Sequence, residues 1–136
     1  MKWAQSLIRI ANHQVEELQK RLGEIVSRRT DAELRLTMLH AEAEAEKLDA
    51  TRNAEAGWYH LGFMQGWRWR RDQTIAEIAE IAAEEVGARD ALAHAFEELK
   101  KFEQVAETAR VAALKEEARK ETAEMDELGQ RRAARG

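Results

Sequence analysis

Apolar residues recur along the first third of the chain at alternating steps of three and four residues, the spacing that places side chains on one stripe of a helix. The stripe continues without a break to about residue 50, and it predicts a first helix over about residues 2–56. One set of stripe positions is Ile8, Val15, Leu22, Arg29, Leu36, Ala43 and Ala50, and the other is Ala4, Ala11, Leu18, Ile25, Ala32, Leu39 and Glu46.

A second stripe of the same spacing predicts a second helix over about residues 72–130, with Asp72 or Thr74 as its N-cap. Near residue 111 this stripe changes phase, as happens where a coiled coil is locally unwound or overwound. Residues 131–136 carry no stripe, and we expect this basic tail to fray. The second stripe consists of Ile78, Ile81, Glu85, Ala88, Leu92, Ala95, Leu99, Phe102, Ala106, Ala109 and Ala113, followed after the change of phase by Val111, Leu114, Ala118, Met125 and Leu128.

Between the two stripes, residues 57–71 read GWYHLGFMQGWRWRR and hold three glycines and five of the eight aromatic residues. Each glycine weakens a helix by about 1 kcal/mol relative to alanine, so the segment predicts a reversal of the chain. The resulting fold class is all-α, a long antiparallel two-helix coiled-coil hairpin that forms a single domain over residues 1–136. The alternative is one uninterrupted helix in a parallel dimer.

Composition agrees with long helices, since charged residues make up 35% of the chain and proline is absent. The chain has no cysteine, which excludes disulfides and thiol nucleophiles, and its net charge of −4 argues against general affinity for nucleic acid. The N-terminus does not read as a signal peptide, and no stretch is apolar enough to span a membrane. We therefore expect a soluble cytoplasmic protein.

Catalytic chemistry is not indicated. The four histidines, at positions 13, 40, 60 and 94, are far apart and lack ligand partners three or four residues away. No glycine-rich phosphate loop, nucleophile elbow or zinc-protease motif is present. We expect a protein that is not an enzyme and takes no cofactor, metal or small-molecule substrate.

The aromatic segment 57–71 is a candidate docking tip, because aromatic and arginine side chains dominate binding hot spots. In the simplest alternative, these rings pack on one another and cap the end of the two helices. A third interpretation uses the sequence WRWRR, whose alternating rings and guanidinium groups suit single-stranded bases or a membrane interface. The candidate docking residues are Trp58, Tyr59, Phe63, Trp67 and Trp69.

Apolar residues off the stripes mark two further candidate surfaces. Ile75, Ile78 and Ala82 open the second predicted helix and cover more than the single stripe that a two-helix pair buries. Leu7 lies off the stripe at the start of the first helix. Such residues either remain exposed for a partner or are covered by the neighbouring helix.

The C-terminal sequence KEEARKETAEMDELGQRRAARG resembles the C-terminus of the FliJ family, soluble components of flagellar type III protein export. The telling residues are Met125, Asp126, Glu127, Leu128, Gln130 and Arg131. Chain length and the order of long helix, glycine- and tryptophan-containing connection and long helix also agree. The resemblance covers essentially the whole chain, although this connection is unusually rich in tryptophan.

This resemblance implies a coiled-coil stalk that inserts into the ring of the export ATPase FliI, contacts the export gate FlhA and assists export chaperones. The two chain ends would enter the ring, which makes Leu7, Met125, Leu128 and Arg131 candidate ATPase-binding residues. Ile75, Ile78 and Ala82 would face the gate. The expected location is the cytoplasm, peripheral to the inner membrane at the flagellar base.

Two alternatives remain open at this point. One is a coiled-coil scaffold or chaperone of another secretion or division machine. The other is a membrane-surface or nucleic-acid binder that uses residues 67–71.

Overall fold

A computed structural model describes residues 2–52 and 54–135, with only the backbone at residue 54. Helix α1 spans Lys2–Ala50 and helix α2 spans Ala54–Arg135. No strand occurs among the described residues. The predicted all-α class is confirmed.

The chain reverses at residues 51–52, six residues before the segment from which the reversal was predicted. There the hydroxyl of Thr51 donates a hydrogen bond to the carbonyl of Leu48 at 2.7 Å, and the backbone N–H of Arg52 donates to the carbonyl of Asp49 at 3.1 Å. These bonds satisfy two of the carbonyls that the end of a helix leaves without partners.

The predicted helix-breaking tip at 57–71 is instead helical throughout and forms the start of α2. None of its glycines has a positive φ, so each is accommodated in ordinary helical backbone. Residues that pack inward lie beside the glycines: half-buried Phe63 follows Gly62, and buried Trp67 follows Gly66. That burial offsets a glycine penalty of about 1 kcal/mol per residue.

The second helix differs from the prediction at both its start and its end. Thr74 lies in the interior of α2, buried, and its hydroxyl donates to the carbonyl of Arg70 at 2.9 Å instead of capping an end. At the other end the helix does not fray after residue 130 but continues to Arg135. An ion pair of 2.8 Å between Arg131 and Glu127 joins the last turns.

The contacts of the chain fall into two compact units, Glu16–Ala93 and Met1–Val15 with His94–Gly136. In the first of these, which contains the turn, Ile25 and Ala32 of α1 pack with Ile81 and Ala88 of α2. Leu22 and Ile78 pack at the margin of this cluster. All six residues lie on the predicted stripes.

Ion pairs join the two helices of this unit, and three of them give the relative direction of the helices. Arg28 pairs with Glu84 at 3.0 Å, Arg35 with Glu77 at 2.7 Å, and Arg70 with Glu42 at 3.1 Å. Residue numbers therefore fall along α2 as they rise along α1. This antiparallel order confirms the predicted two-helix hairpin and excludes the uninterrupted helix of a parallel dimer.

In the other unit, a short part of α1 packs against a longer part of α2. The buried residues are small: Ala4, Ala11 and Val15 on α1, and Ala95 on α2, joined by Leu99. Every described residue of α2 from 112 to 135 is exposed. The last turns of α2 therefore have no packing partner within their unit.

Candidate partner-binding surfaces

The bare part of α2 carries a row of apolar side chains, Leu114, Ala118, Met125 and Leu128, which we call the terminal stripe. Leu114 and Leu128 are each 52% exposed and Met125 is 70% exposed. The row keeps steps of three, four and seven residues, so its members lie on one side of the helix. An isolated helix has nothing against which to bury such a row.

The terminal stripe begins where packing against α1 ends. Ala106 and Ala109 are half-buried, and Leu114 still lines a groove with Ala4 and Gln5 of α1, whereas every described residue of α2 from 112 onward is exposed. The change of phase read from the sequence near residue 111 thus corresponds to the end of packing against α1.

Ion pairs along the surface of α2 support its bare part. Arg119 donates two hydrogen bonds to Glu116, at 3.1 and 2.8 Å, and Arg131 donates to Glu127 at 2.8 Å. The hydrogen bonds from Arg119 hold the pKa of the Glu116 carboxyl below its ordinary value. Arg131, a predicted ATPase-binding residue, is exposed beside the terminal stripe.

Leu7, the other residue predicted at this end, is half-buried on α1 in the same unit. Nearby Trp3 is 54% exposed and Ile10 is 65% exposed. The first turns of α1 thus present large apolar side chains to solvent, and half-buried Leu7 lies on the same side of the helix.

The predicted gate-facing residues differ in exposure. Ile75 is 48% exposed, Ala82 is half-buried, and Ile78 packs against the core cluster of Ile25, Ala32, Ile81 and Ala88. Ile78 therefore belongs mainly to the core, whereas Ile75 remains available at the surface.

The candidate docking residues of the segment 57–71 divide between two sides of α2. Trp58, Tyr59 and Trp69 are 76%, 66% and 66% exposed, whereas Trp67 is only 5% exposed and Phe63 is half-buried. The two interpretations of the segment thus apply to different residues. The inner rings form core, and the outer rings form an exposed surface.

Trp67 anchors the start of α2 to α1. Its indole N–H donates to the backbone carbonyl of Leu39 at 2.5 Å, and the guanidinium of Arg71 lies 5.3 Å from its ring centre. The ring of His40 packs against it at 5.7 Å with a tilt of 59°. A buried tryptophan with its donor satisfied is a favourable core residue.

The same geometry bears on the proposed stacking of bases by WRWRR. Trp67 and Trp69 point to opposite sides of the helix, so the two rings cannot stack on one strand. Arg70 is paired with Glu42 at 3.1 Å and Arg71 with Asp72 at 3.0 Å. Only Arg68 in this run has no ion-pair partner among the described residues.

Sequence reasoning missed a groove that α1 and α2 form in the unit of the turn. Its volume is about 430 Å³, and exposed Met38 and Trp69 line it between the Arg35–Glu77 and Arg70–Glu42 ion pairs. The available signal was the large apolar residue Met38, which lies off the predicted stripe of α1 four residues after Leu34, another such residue. Both are more than half exposed, Met38 at 61% and Leu34 at 58%.

A charged group interrupts the apolar contact between the helices at Glu85. This buried carboxylate accepts hydrogen bonds from Arg89, at 3.0 Å, and from Arg29 of α1, which also lies 3.5 Å from Glu33. The arginines, Arg89 first, lower the pKa of Glu85 below its ordinary value. Because Arg29 meets its partner at only one alignment of the helices, the pair helps to fix the register.

Neither a metal-binding cluster nor a membrane-spanning helix is found among the described residues. No group of three or more histidine, cysteine, aspartate or glutamate side chains is arranged to hold a metal ion there. No helix in that part of the chain is long and apolar enough to cross a membrane.

Comparison with known proteins gives a consistent result. The family model described as "Flagellar FliJ protein" matches residues 2–136. Two curated relatives, the flagellar FliJ proteins of Caulobacter vibrioides strains NA1000 / CB15N and ATCC 19089 / CIP 103742 / CB 15, are each 55% identical over 135 residues, which is 99% of this chain and 97% of the relative. No solved structure gives a significant match. These findings confirm the resemblance seen in the C-terminal motif, and the chain belongs to the FliJ family of flagellar proteins.

Proposed function

We propose that this protein is a coiled-coil stalk of flagellar type III export, which binds the ring of the export ATPase FliI through the bare end of α2 and links it to the export gate FlhA. Family membership establishes the coarser part, a flagellar protein with a role in export. It also confirms the prediction that the protein is not itself an enzyme, since this is not a catalytic family.

The observation that carries the proposal is the terminal stripe. Leu114, Met125 and Leu128 are at least half exposed on a helix that continues beyond the contacts with α1. Exposed apolar rows on a helix are a standard element of helix-in-groove recognition. A ring with an apolar central opening would bury this row, and the neighbouring arginines would meet acidic groups at its rim.

The gate is proposed to contact the other unit, on the side of α2 that carries Ile75 and Ala82. Ile75 is about half exposed and so is accessible to a partner, while Ile78 packs against the core cluster. By this proposal the protein works in the cytoplasm, is peripheral to the inner membrane through the gate, and assists export chaperones there.

The test is ATP hydrolysis by the cognate export ATPase across a titration of this protein, with ring assembly followed by light scattering. The test variant is Leu128→Asp, which places a charge in the terminal stripe. The matched control is Ala123→Asp, which places the same charge on the opposite side of the same exposed helix. Neither position packs against another residue, so both variants should keep the wild-type helix content.

Stimulation of hydrolysis and assembly by the wild type and the control, with both lost in Leu128→Asp, would support the proposal. A wild-type protein that binds neither the ATPase nor the gate would contradict it. Equal losses in the two variants would contradict the role of the terminal stripe, since only one of them alters it.

A further inference from the structure

A second row of apolar side chains runs along the exposed side of α1 near the turn. Its three large members are more than half exposed, Leu34 at 58%, Met38 at 61% and Leu48 at 67%, and Ala41 and Ala45 between them are also exposed. The steps of four and three residues are those of a coiled-coil seam, so the row can seat a partner helix over about four turns. We call it the outer stripe of α1.

One edge of the outer stripe opens into the groove between α1 and α2. Met38 and Trp69, which is 66% exposed, line this groove together. The cations that line it are Arg35 and Arg70, and each is already paired with a carboxylate of the facing helix, at 2.7 and 3.1 Å. A helix seated on the outer stripe would therefore cover Met38 and the Trp69 ring without burying a free cation.

The end of the outer stripe farther from the turn is acidic. Asp31 lies on α1 three residues before Leu34, and Glu80 lies on α2 three residues after Glu77. Because Arg35 pairs with Glu77 in the antiparallel hairpin, residues 31 and 80 lie at nearly the same level. Neither carboxylate forms an ion pair among the described residues. A partner helix that fits this seat should carry positive charge at the matching end.

The terminal stripe of α2 has the complementary pattern. Its side of the helix continues past Leu128 to Arg132 and Arg135, at steps of four and three residues. Neither arginine has an ion-pair partner in the part of the chain that the structure describes. The terminal stripe thus ends in positive charge, whereas the outer stripe of α1 ends in negative charge.

We propose that residues 118–135 of α2, which we call the tail, bind along the outer stripe of α1 in a second copy of this chain. Antiparallel helices pair residues whose numbers have a constant sum, and one such alignment suits both rows. It places Leu128 on Met38, Met125 on Ala41, Glu121 on Ala45 and Ala118 on Leu48.

The same alignment pairs the charged ends of the two rows. Arg135 falls beside Asp31, and Arg132 lies over Leu34 within reach of Glu80. The docked tail must come from another copy, because α2 is one helix from Ala54 to Arg135 and a helix does not fold back on itself.

This interface joins two different surfaces, so it does not close after two chains. Each docked copy keeps one unused tail or one unused outer stripe, and association can continue, as in heterologous assemblies. Three of the four apolar layers contain alanine, so the contact area is small and the association should be weak. The apparent mass should therefore rise with concentration, beyond that of two chains.

Sedimentation velocity of the full-length protein over a wide range of concentration tests this. Met38→Asp places a charge in the outer stripe, and Leu128→Asp places one in the tail. The matched controls are Thr37→Asp, at an exposed neighbour of Met38 that does not line the groove, and Ala123→Asp, on the opposite side of the tail. All four positions are exposed, so circular dichroism should show wild-type helix content in every variant.

The two test variants should each remain monomeric at concentrations where the wild type and both controls associate. Mixed together, they should form a complex of two chains and nothing larger. Met38→Asp still has an intact tail and Leu128→Asp still has an intact outer stripe, so one docking contact remains possible between them. An interface formed by the same surface of both copies would not be restored by mixing.

A wild-type protein that stays monomeric at every concentration would overturn the proposal. So would a test variant that associates like the wild type, or a mixture of the two test variants that stays monomeric. The inference uses the terminal stripe that the proposed function assigns to the ATPase, but all of these outcomes are measured without the ATPase. Failure of one proposal therefore does not decide the other.

Discussion

Replacement of Trp67 by alanine tests whether the segment 57–71 is a packed part of α2. Trp67 is 5% exposed, and its indole donates to the carbonyl of Leu39. Truncation of a buried tryptophan to alanine typically lowers the free energy of unfolding by about 3–5 kcal/mol. We expect Trp67→Ala to fall in this range.

Trp69→Ala is the matched control, because it removes the same side chain two residues away from a position that is 66% exposed. Surface substitutions usually change stability by less than about 0.5 kcal/mol, and we expect that here. Trp67→Phe should lie between the two variants, since it keeps an apolar ring but lacks the hydrogen-bond donor to Leu39.

The measurement is urea denaturation followed by circular dichroism at 222 nm. A change of midpoint at constant slope reports the difference in stability. Similar small effects of Trp67→Ala and Trp69→Ala would refute the reasoning, because they would mean that the start of α2 does not pack on α1.

Three further predictions concern separate parts of the molecule. Gly57→Ala should raise the free energy of unfolding by about 0.5–1 kcal/mol in the same assay, because the added Cβ makes only an ordinary contact of 3.7 Å with the carbonyl of Ala50; destabilisation would contradict a helical backbone there. Glu85→Gln should be less stable than the wild type at pH 7. Because the pKa of Glu85 in the folded protein is lowered from 4.5, the difference in stability between the two proteins should narrow as the pH falls below 4.5. Thermal midpoints of both proteins at pH 7 and pH 3 measure this difference, and a difference that does not change with pH would contradict the prediction. Removal of residues 116–135 should reduce the total helical signal but leave the thermal midpoint nearly unchanged, since these residues are exposed; a large loss of stability would show packing that the structure lacks.

The contact between the helices was predictable because the buried residues of a helix recur at a regular spacing along the sequence. Alanine, leucine and isoleucine at steps of three and four residues mark the inner side of each helix, and the structure buries Ile25, Ala32, Ile81 and Ala88 from those sets. The charged stripe position Glu85 was also visible, and Arg89 lies four residues further along the same helix, but the pairing of Glu85 with Arg29 becomes apparent only when the two helices are aligned.

The position of the turn was not predictable by the same reasoning. Glycine content pointed to 57–71, but a glycine penalty of about 1 kcal/mol is smaller than the gain from burying a side chain such as Trp67. The actual turn at 51–52 contains neither glycine nor proline. Helix propensity determines where a turn forms only where tertiary packing does not favour one position over another.

The candidate surfaces were predictable to different degrees. The change of phase near residue 111 was read from the sequence, but the exposure of Leu114, Met125 and Leu128 was not predicted, because it depends on how far α1 extends along α2. The groove beside Met38 and the division of the tryptophans into inner and outer rings were not predictable in this way. Both depend on which residues of α1 lie opposite which residues of α2.

The bare end of α2 has a physical advantage for binding a partner. An isolated helix of this length is marginal in water because its first turn is costly to form. Here the helix is already nucleated by the turns that pack around Ala95 and Leu99, and surface ion pairs such as Arg119 with Glu116 favour its continuation. The terminal stripe is therefore held in helical form before any partner arrives, which reduces the ordering entropy that binding would otherwise cost.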